Sequence, residues 1–274
     1  MAEIELKREG EIAYREAVPD SSTDAPPILL VHGFPQSSYM WRDLMSATAD
    51  SGRRAVALDL PGYGDSPPDP PGTWERHVEA LDGFHSSLGL GQAALGVHDW
   101  GGLIGLRWAC EKPGTAVALL ISNTGFFPVG EWHGLAAAMR TPGQGEELME
   151  NLSRDAFTAM MMDAGRRFDE RALGEYWKCL SSDERKRGAL ELYRSGDFEK
   201  LEPYQGRLAE LDLPALVLWG EEDEYAPVAG AYRFHKEIPG SKLVIVEGAS
   251  HFVYDDEPER CAREVIAFLD EATS

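Results

Sequence analysis

The residue with the most distinctive chemical setting in this chain is Asp99, in the turn 97–102, which reads VHDWGG. An apolar run at 93–97 leads into this turn and a helical pattern leads out of it. A strand, a sharp turn and a helix with a reactive side chain at the apex form a nucleophile elbow, in which serine is the usual nucleophile. A carboxylate there predicts a different reaction, because it displaces a leaving group from an sp3 carbon and forms an alkyl ester.

Two further side chains that this chemistry needs follow later apolar runs. Asp223 lies in the stretch 219–224, WGEEDE, and is the predicted acid; His251 lies in 248–252, GASHF, and is the predicted base. The order nucleophile, acid, histidine is the one that this elbow architecture uses along the chain. We expect His251 to deprotonate the water that attacks the ester, and Asp223 to fix the imidazole tautomer and stabilise its positive charge.

The leaving anion needs hydrogen-bond donors close to the nucleophile. The stretch 32–35, HGFP, directly follows an apolar run. The backbone N–H groups of Phe34 and Trp100 lie just past strand ends, where unpaired donors collect. The indole N–H of Trp100 is a donor only, which suits a halide. We therefore predict that Phe34 and Trp100 form the oxyanion- or halide-binding site.

The apolar runs predict the sheet that positions these residues. Continuous runs, typical of strands buried on both faces, recur at 28–31, 55–58, 93–97, 117–121, 215–219 and 243–246. Helical patterns separate most of them, at 74–88, 101–112, 228–237 and 258–271. Residues 3–17 predict two short strands around Gly10. Strands that alternate with helices indicate crossover units, and so an α/β fold with a mostly parallel sheet.

The alternation stops between about 128 and 213. This segment has no buried-strand run and shows helix-forming stretches at 145–162, 169–179 and 184–194. We expect a core domain of 1–127 and 214–274, and a helical cap of 128–213 over the carboxyl ends of the strands, where open α/β sheets bind ligands. Methionines in the cap favour an apolar pocket; they are Met139, Met149, Met160, Met161 and Met162.

Composition limits the possible partners. The chain has 274 residues and a formal net charge of −21, from 47 acidic and 26 basic residues, which argues against nucleic acid or an anionic membrane. No apolar run approaches the roughly 18 residues of a membrane span. The start, 1–9, lacks the apolar core of a secretory signal, which predicts a cytoplasmic protein. Cys110, Cys179 and Cys261 lack paired metal spacing, so we expect buried thiols and neither a disulfide framework nor a metal site.

These residues together resemble the α/β-hydrolase superfamily over nearly the whole chain, and specifically its branch with an aspartate nucleophile. The branch includes haloalkane dehalogenases, epoxide hydrolases and haloacetate dehalogenases. The resemblance implies an eight-stranded, mostly parallel sheet flanked by helices, with a helical cap inserted after the sixth strand. Haloacetate dehalogenases carry arginine one and four positions after the nucleophile, where this chain has Trp100 and Leu103. A bidentate site for a substrate carboxylate is therefore missing.

Several positions resemble the haloalkane dehalogenases. Val97 is β-branched, as in those enzymes, whereas epoxide hydrolases have glycine there. The segments 37–42 and 59–66 also resemble the dehalogenase pattern. One departure is Phe34, which replaces an asparagine that is a common second halide donor. Dehalogenases without that asparagine use a lid tryptophan, for which Trp132 and Trp177 are the candidates.

The lid tyrosines of the epoxide hydrolases and the position of the acid were also compared with this chain. Epoxide hydrolases use two lid tyrosines to protonate the epoxide oxygen, and 187–194 is similar to the segment that carries one of them, here Tyr193. Ala138 or Met139 stands where the other is expected. Asn123 occupies a place where some relatives have the acid, and because an amide cannot serve as one, Asp223 is favoured.

We therefore predict a hydrolase without a cofactor that uses water to cleave carbon–halogen bonds of small apolar molecules through an aspartyl ester. The alternative is an epoxide hydrolase that uses Asp99 with Tyr193. A third hypothesis is a ligand-binding protein that retained the fold and lost turnover. The sequence leaves the oligomeric state open.

Overall fold

The computed structural model describes residues 2–21 and 23–273. These residues form one eight-stranded sheet. Its strands, in chain order, are β1 Ile4–Glu9, β2 Ile12–Ala17, β3 Ile28–Val31, β4 Ala55–Leu58, β5 Ala93–His98, β6 Ala116–Ser122, β7 Ala215–Gly220 and β8 Lys242–Val246. Their order across the sheet is β1-β2-β4-β3-β5-β6-β7-β8. The pairs β1/β2 and β2/β4 are antiparallel, and all the others are parallel. This confirms the predicted α/β-hydrolase architecture.

Helices cover the sheet and fill the long insertion. The α-helices are α1 Arg42–Asp50, α2 Trp74–Ser87, α3 Trp100–Glu111, α4 Gly134–Arg140, α5 Gln144–Asn151, α6 Arg154–Ala164, α7 Glu170–Trp177, α8 Asp183–Ser195, α9 Arg207–Glu210, α10 Ala229–Glu237, α11 Val253–Asp256 and α12 Pro258–Ala272. Short 3-10 helices span Ser38–Trp41, Lys178–Leu180 and Phe198–Tyr204. The four helical patterns predicted outside the cap correspond to α2, α3, α10 and α12.

The central strands explain why the apolar runs are continuous. Every residue of β3, β4, β5 and β7 is buried. Helices cover both faces of a parallel sheet, so its inner strands need apolar side chains on each face. β5 lies between β3 and β6, and its carboxyl end is therefore surrounded by the ends of neighbouring strands. Open α/β sheets bind their ligands at this edge.

The segment between β6 and β7 is helical, as expected, but its helices differ from the prediction. The stretch 145–162 contains two helices, α5 and α6, because the chain leaves the helix at Leu152 and Ser153 caps the next one by accepting from the Ala156 N–H. Helix α4 was not predicted. Its first turn is capped by the His133 side chain, and this places His133 beside the site described below.

Polar contacts fix this inserted segment on the core. The Arg185 guanidinium of α8 donates to the backbone carbonyls of Gly62, Gly64 and Ser66 at 2.8, 3.3 and 2.9 Å. The Tyr176 hydroxyl of α7 donates to the buried Asp255 carboxylate of α11 at 2.9 Å. Each of these hydrogen bonds has one charged partner, the guanidinium or the carboxylate, and is therefore strong. They hold the insertion in one place over the strand ends.

Two further findings bear on the predictions from composition. The three cysteines are buried and unpaired, as predicted. Within the described residues, every helix is too short or too polar to cross a lipid bilayer.

Candidate active site

Asp99 occupies the apex of a strained turn between β5 and α3. Its backbone angles are φ 50° and ψ −126°, a region that costs a residue with a side chain about 1–3 kcal/mol. Two contacts hold the turn: the Thr124 hydroxyl donates to the Asp99 carbonyl at 2.6 Å, and the Asp99 N–H donates to the Asn123 carbonyl at 3.2 Å. The predicted strand, turn and helix are therefore present, with Asp99 at the turn between β5 and α3.

Glycines let the elbow approach its neighbours. A methyl group on Gly101 would lie 2.2 Å from the Val31 carbonyl oxygen. A methyl group on Gly33 would lie 2.2 Å from Asp99 Oδ1. Such distances are far below van der Waals contact. Glycine at 33 thus allows the loop after β3 to wrap closely around the carboxylate.

The Phe34 amide contacts the Asp99 carboxylate itself. Its N–H donates to Oδ1 at 2.7 Å, and the Trp100 N–H also hydrogen-bonds the carboxylate. Burial raises the pKa of Asp99 above its ordinary value, and the His251 charge and these two amides oppose the shift. The two amides that we expect to bind an anion thus contact the Asp99 carboxylate in this structure. They are placed for the oxyanion that forms when that carboxyl group is attacked.

His251 lies between the two carboxylates. Its Nε2 is 3.6 Å from Asp99 Oδ2, and its Nδ1 is 2.8 Å from Asp223 Oδ2. Burial lowers the pKa of the imidazole, but the charge and hydrogen bond of Asp223 together with the charge of Asp99 raise it more, so the net pKa lies above 6.5. The predicted nucleophile, base and acid, which follow three different strands, therefore lie side by side, with a hydrogen bond between His251 and Asp223 and a 3.6 Å contact between His251 and Asp99.

Asp223 is held as a carboxylate by three donors besides His251. The backbone N–H groups of Tyr225 and Ala226 both donate to Oδ1 at 2.8 Å. The Asn123 side-chain amide donates to Oδ2 at 2.8 Å. Burial favours the neutral acid, but His251 and these hydrogen bonds outweigh it and hold the pKa of Asp223 below its ordinary value. Asn123 is therefore a hydrogen-bond donor to the predicted acid.

Two cavities meet at Asp99. The smaller one has a mainly apolar lining, made by Phe34, Pro35, Leu135, Met160, Met161, Ala164 and Phe252. The larger and more open one extends past Trp100 and Trp132 toward Arg233. Both have Asp99, His133, Tyr193 and Tyr225 in their walls. Small-molecule sites are concave and mostly apolar with a few polar groups, as here.

The structure brings Tyr193 to the site. It is buried, lines both cavities and contacts Trp100 and Phe34 edge-on, at ring-centroid distances of 5.1 and 5.4 Å. Burial raises the pKa of its phenol well above 10, so the hydroxyl stays protonated. A protonated hydroxyl on a side chain that lines these cavities is a hydrogen-bond donor for a ligand.

The two tryptophan candidates differ in position. Trp132 lines the larger cavity and stacks on Trp100 at 5.9 Å, and its buried Nε1 has no hydrogen-bond partner in the described part of the chain. Trp177 packs against Phe157 of α6 at 5.4 Å. It contributes to neither cavity wall at Asp99. Of these two, only Trp132 has an indole N–H near the site.

Two site residues were not predicted from the sequence. His133 caps α4 and lines both cavities, and its ring contacts Tyr225 at a centroid distance of 5.1 Å. Tyr225 also contacts the His251 ring at 5.2 Å. Tyr225 stands two residues after the predicted acid, a signal that could have indicated it. His133 follows a lid tryptophan in sequence, but only the unpredicted helix α4 turns it toward Asp99.

The fold and the elbow place the chain in a family. Residues 26–258 match the model of the α/β hydrolase fold family, and the protein belongs to that family. It is 27% identical to a haloalkane dehalogenase of Bradyrhizobium diazoefficiens, over 97% of this chain and 94% of that protein. It is also 27% identical to a cis-3-alkyl-4-alkyloxetan-2-one decarboxylase of Xanthomonas campestris pv. campestris, over 92% of this chain and 90% of that protein.

A solved structure gives the same fold. The crystal structure of the haloalkane dehalogenase DbeA from Bradyrhizobium elkani superimposes with a TM-score of 0.84 at 24% identity, over 99% of each chain. At that identity the likeness shows the fold, and the chemistry depends on the residues of the site.

Proposed function

We propose that this protein is a hydrolase that cleaves carbon–halogen bonds of small apolar haloalkanes through an aspartyl ester. The observation that carries the proposal is the line of Asp99, His251 and Asp223 below an apolar cavity, with the nucleophile at 3.6 Å from the base and the base at 2.8 Å from the acid. The dehalogenase named among the relatives supports the same reaction.

The first half-reaction is a displacement. A carboxylate oxygen of Asp99 attacks the halogen-bearing carbon, the carbon–oxygen bond forms, and the carbon–halogen bond breaks with its electron pair leaving on the halide. The Trp100 and Trp132 indoles and the Tyr193 hydroxyl supply N–H and O–H donors for that anion. The Trp132 N–H is buried without a partner, so a halide bound there would satisfy a donor that is otherwise unpaired.

The second half-reaction is ester hydrolysis. Water attacks the Asp99 carboxyl carbon while His251 Nε2 takes its proton, and Asp223 stabilises the imidazolium. Negative charge then develops on the oxygen held by the Phe34 and Trp100 amides. When the tetrahedral intermediate collapses, the alkoxide oxygen leaves with the proton from His251 as the alcohol. The Asp99 carboxylic acid then loses the remaining water proton through His251 to solvent, which restores the carboxylate.

Trapping the ester tests this proposal. His251→Gln protein is incubated with a short bromoalkane, and intact mass and released bromide are measured. One alkyl group on Asp99 and one bromide per protein are expected, because displacement needs no base. An Asp99→Asn variant is the matched control and should gain no mass. If His251→Gln shows neither adduct nor bromide, the ester mechanism is wrong, and tight binding without product would indicate the ligand-binding alternative.

An epoxide hydrolase remains the second candidate, and the placement of Tyr193 favours it. Tyr193 lines both cavities at Asp99, and its protonated hydroxyl is a proton donor for an epoxide oxygen as the ring opens. His133 adds a second polar group to the same walls. Styrene oxide and a bromoalkane are compared in wild type and Tyr193→Phe. Diol formation that is faster than bromide release and is lost in the variant would support the epoxide assignment.

A further inference from the structure

The residue before the nucleophile contacts the base. His98 is the last residue of β5 and is completely buried. Its Nε2 lies 2.8 Å from the backbone carbonyl oxygen of His251, across 153 residues of chain. A carbonyl oxygen only accepts hydrogen bonds, so the His98 proton resides on Nε2 and the ring donates.

This contact joins two parts of the fold that the sheet keeps apart. β5 carries the nucleophile, and the loop after β8 carries the base, but β6 and β7 lie between these strands. The loop is otherwise held from its own side of the sheet. The Glu222 N–H donates to the Ala249 carbonyl at 2.9 Å, and the Ser250 N–H donates to Asp256 Oδ2 at 2.8 Å. His98 thus ties the loop directly to the strand of Asp99.

The two imidazole rings also contact each other. Their centroids are 4.7 Å apart and their planes are inclined by 55°. Burial lowers the pKa of His98 to about 3, with a smaller contribution from His251. His98 is therefore neutral when His251 carries a proton, and its N–H remains available to the carbonyl.

We propose that His98 is a positioning residue that sets the distance between His251 Nε2 and the Asp99 carboxylate through the His251 carbonyl. The inference rests on the proposed ester mechanism for its kinetic consequence. Because His98 and Asp99 are neighbours in the chain, any shift of the elbow is transmitted to the base. His98 acts in ester hydrolysis, where His251 is the base, and not in displacement, where Asp99 alone attacks.

Three substitutions separate the hydrogen bond from the volume of the ring. His98→Leu fills similar space and has no donor. His98→Gln places its amide nitrogen about where imidazole Nε2 lies, whereas the shorter side chain of His98→Asn reaches only to the position of Nδ1. Gln should restore the contact with the His251 carbonyl, and Leu and Asn should not.

The kinetic test measures both half-reactions in a single turnover with a short bromoalkane. In His98→Leu and His98→Asn we expect a full bromide burst at the wild-type rate, followed by ester hydrolysis that is on the order of 10-fold to 100-fold slower, the size of effect that misplacing a catalytic group produces. His98→Gln should hydrolyse the ester at close to the wild-type rate. The proposal is overturned if His98→Leu hydrolyses normally, or if both steps slow together in all three variants.

A measurement without substrate keeps this test independent of the proposed reaction. The His251 proton shared with Asp223 at 2.8 Å should give a downfield proton NMR resonance that is protected from solvent exchange. We expect it in wild type and His98→Gln, and we expect faster exchange with solvent in His98→Leu. If wild type forms no ester, the proposed function fails while the resonance still tests the role of His98. An unchanged resonance in His98→Leu would refute that role.

Discussion

Replacing Asp223 by asparagine should stop the reaction halfway. Asp223 Oδ1 accepts two backbone N–H groups, from Tyr225 and Ala226, so the new side chain must keep its carbonyl oxygen there. Its NH2 group then takes the place of Oδ2 and faces His251 Nδ1 at 2.8 Å. To accept from that amide, His251 must move its proton from Nδ1 to Nε2. The nitrogen nearest Asp99 then carries a proton and cannot act as a base.

The size of the effect follows from this tautomer change. Loss of a correctly oriented general base, together with the wrong tautomer, lowers rates by about 10³-fold to 10⁴-fold. The reduction should fall on ester hydrolysis alone, because the Phe34 amide and the Asp99 carboxylate are untouched. The Asn123 N–H also loses its acceptor, which should lower the free energy of unfolding by about 1–3 kcal/mol.

Rapid quench with a short bromoalkane measures both half-reactions. Asp223→Asn should release one bromide per active site at the wild-type rate and then accumulate alkylated Asp99, visible in the intact mass. Glu224→Gln is the matched control, since this neighbouring carboxylate is exposed, and it should turn over normally. Wild-type turnover in Asp223→Asn, or a bromide burst that slows as much as hydrolysis does, would refute the reasoning.

Two further predictions concern the base and the lid. Asp223 and Asp99 raise the pKa of His251 above its ordinary value of 6.5, against the effect of burial. Ester hydrolysis needs the neutral imidazole, so turnover should decline as the pH falls through this raised pKa. A His251 pKa below 6.5, measured by NMR, would contradict this. A methyl group on Gly196 would lie 2.4 Å from the Trp100 ring. Gly196→Ala should therefore displace the Trp100 indole, weaken the quenching of tryptophan fluorescence by bromide, and lower the free energy of unfolding by about 1–3 kcal/mol. In the control Gly188→Ala a methyl meets nothing within 4 Å. This control should leave the quenching unchanged and, because the site is inside helix α8, should not lower the free energy of unfolding.

The sequence by itself determined the strands and the turn after β5, and it predicted which residues are nucleophile, acid and base. Buried parallel strands require continuous apolar runs, so their positions can be read within a residue or two; β3 and β4 match the predicted runs at both ends. The reactive residues follow strand ends, and parallel strands bring their carboxyl ends to one edge of the sheet. Local pattern and topology together were therefore sufficient to predict that Asp99, Asp223 and His251 meet.

Only the tertiary structure decided which groups surround them. The sequence placed the Phe34 N–H near Asp99, but only the structure shows that it donates to the Asp99 carboxylate itself. The sequence did not distinguish Trp132 from Trp177 as candidate halide donors. Packing of the inserted segment places Trp132 against Trp100 and Trp177 against Phe157. Distances between residues many positions apart are set by how helices and loops pack, and no local periodicity encodes them.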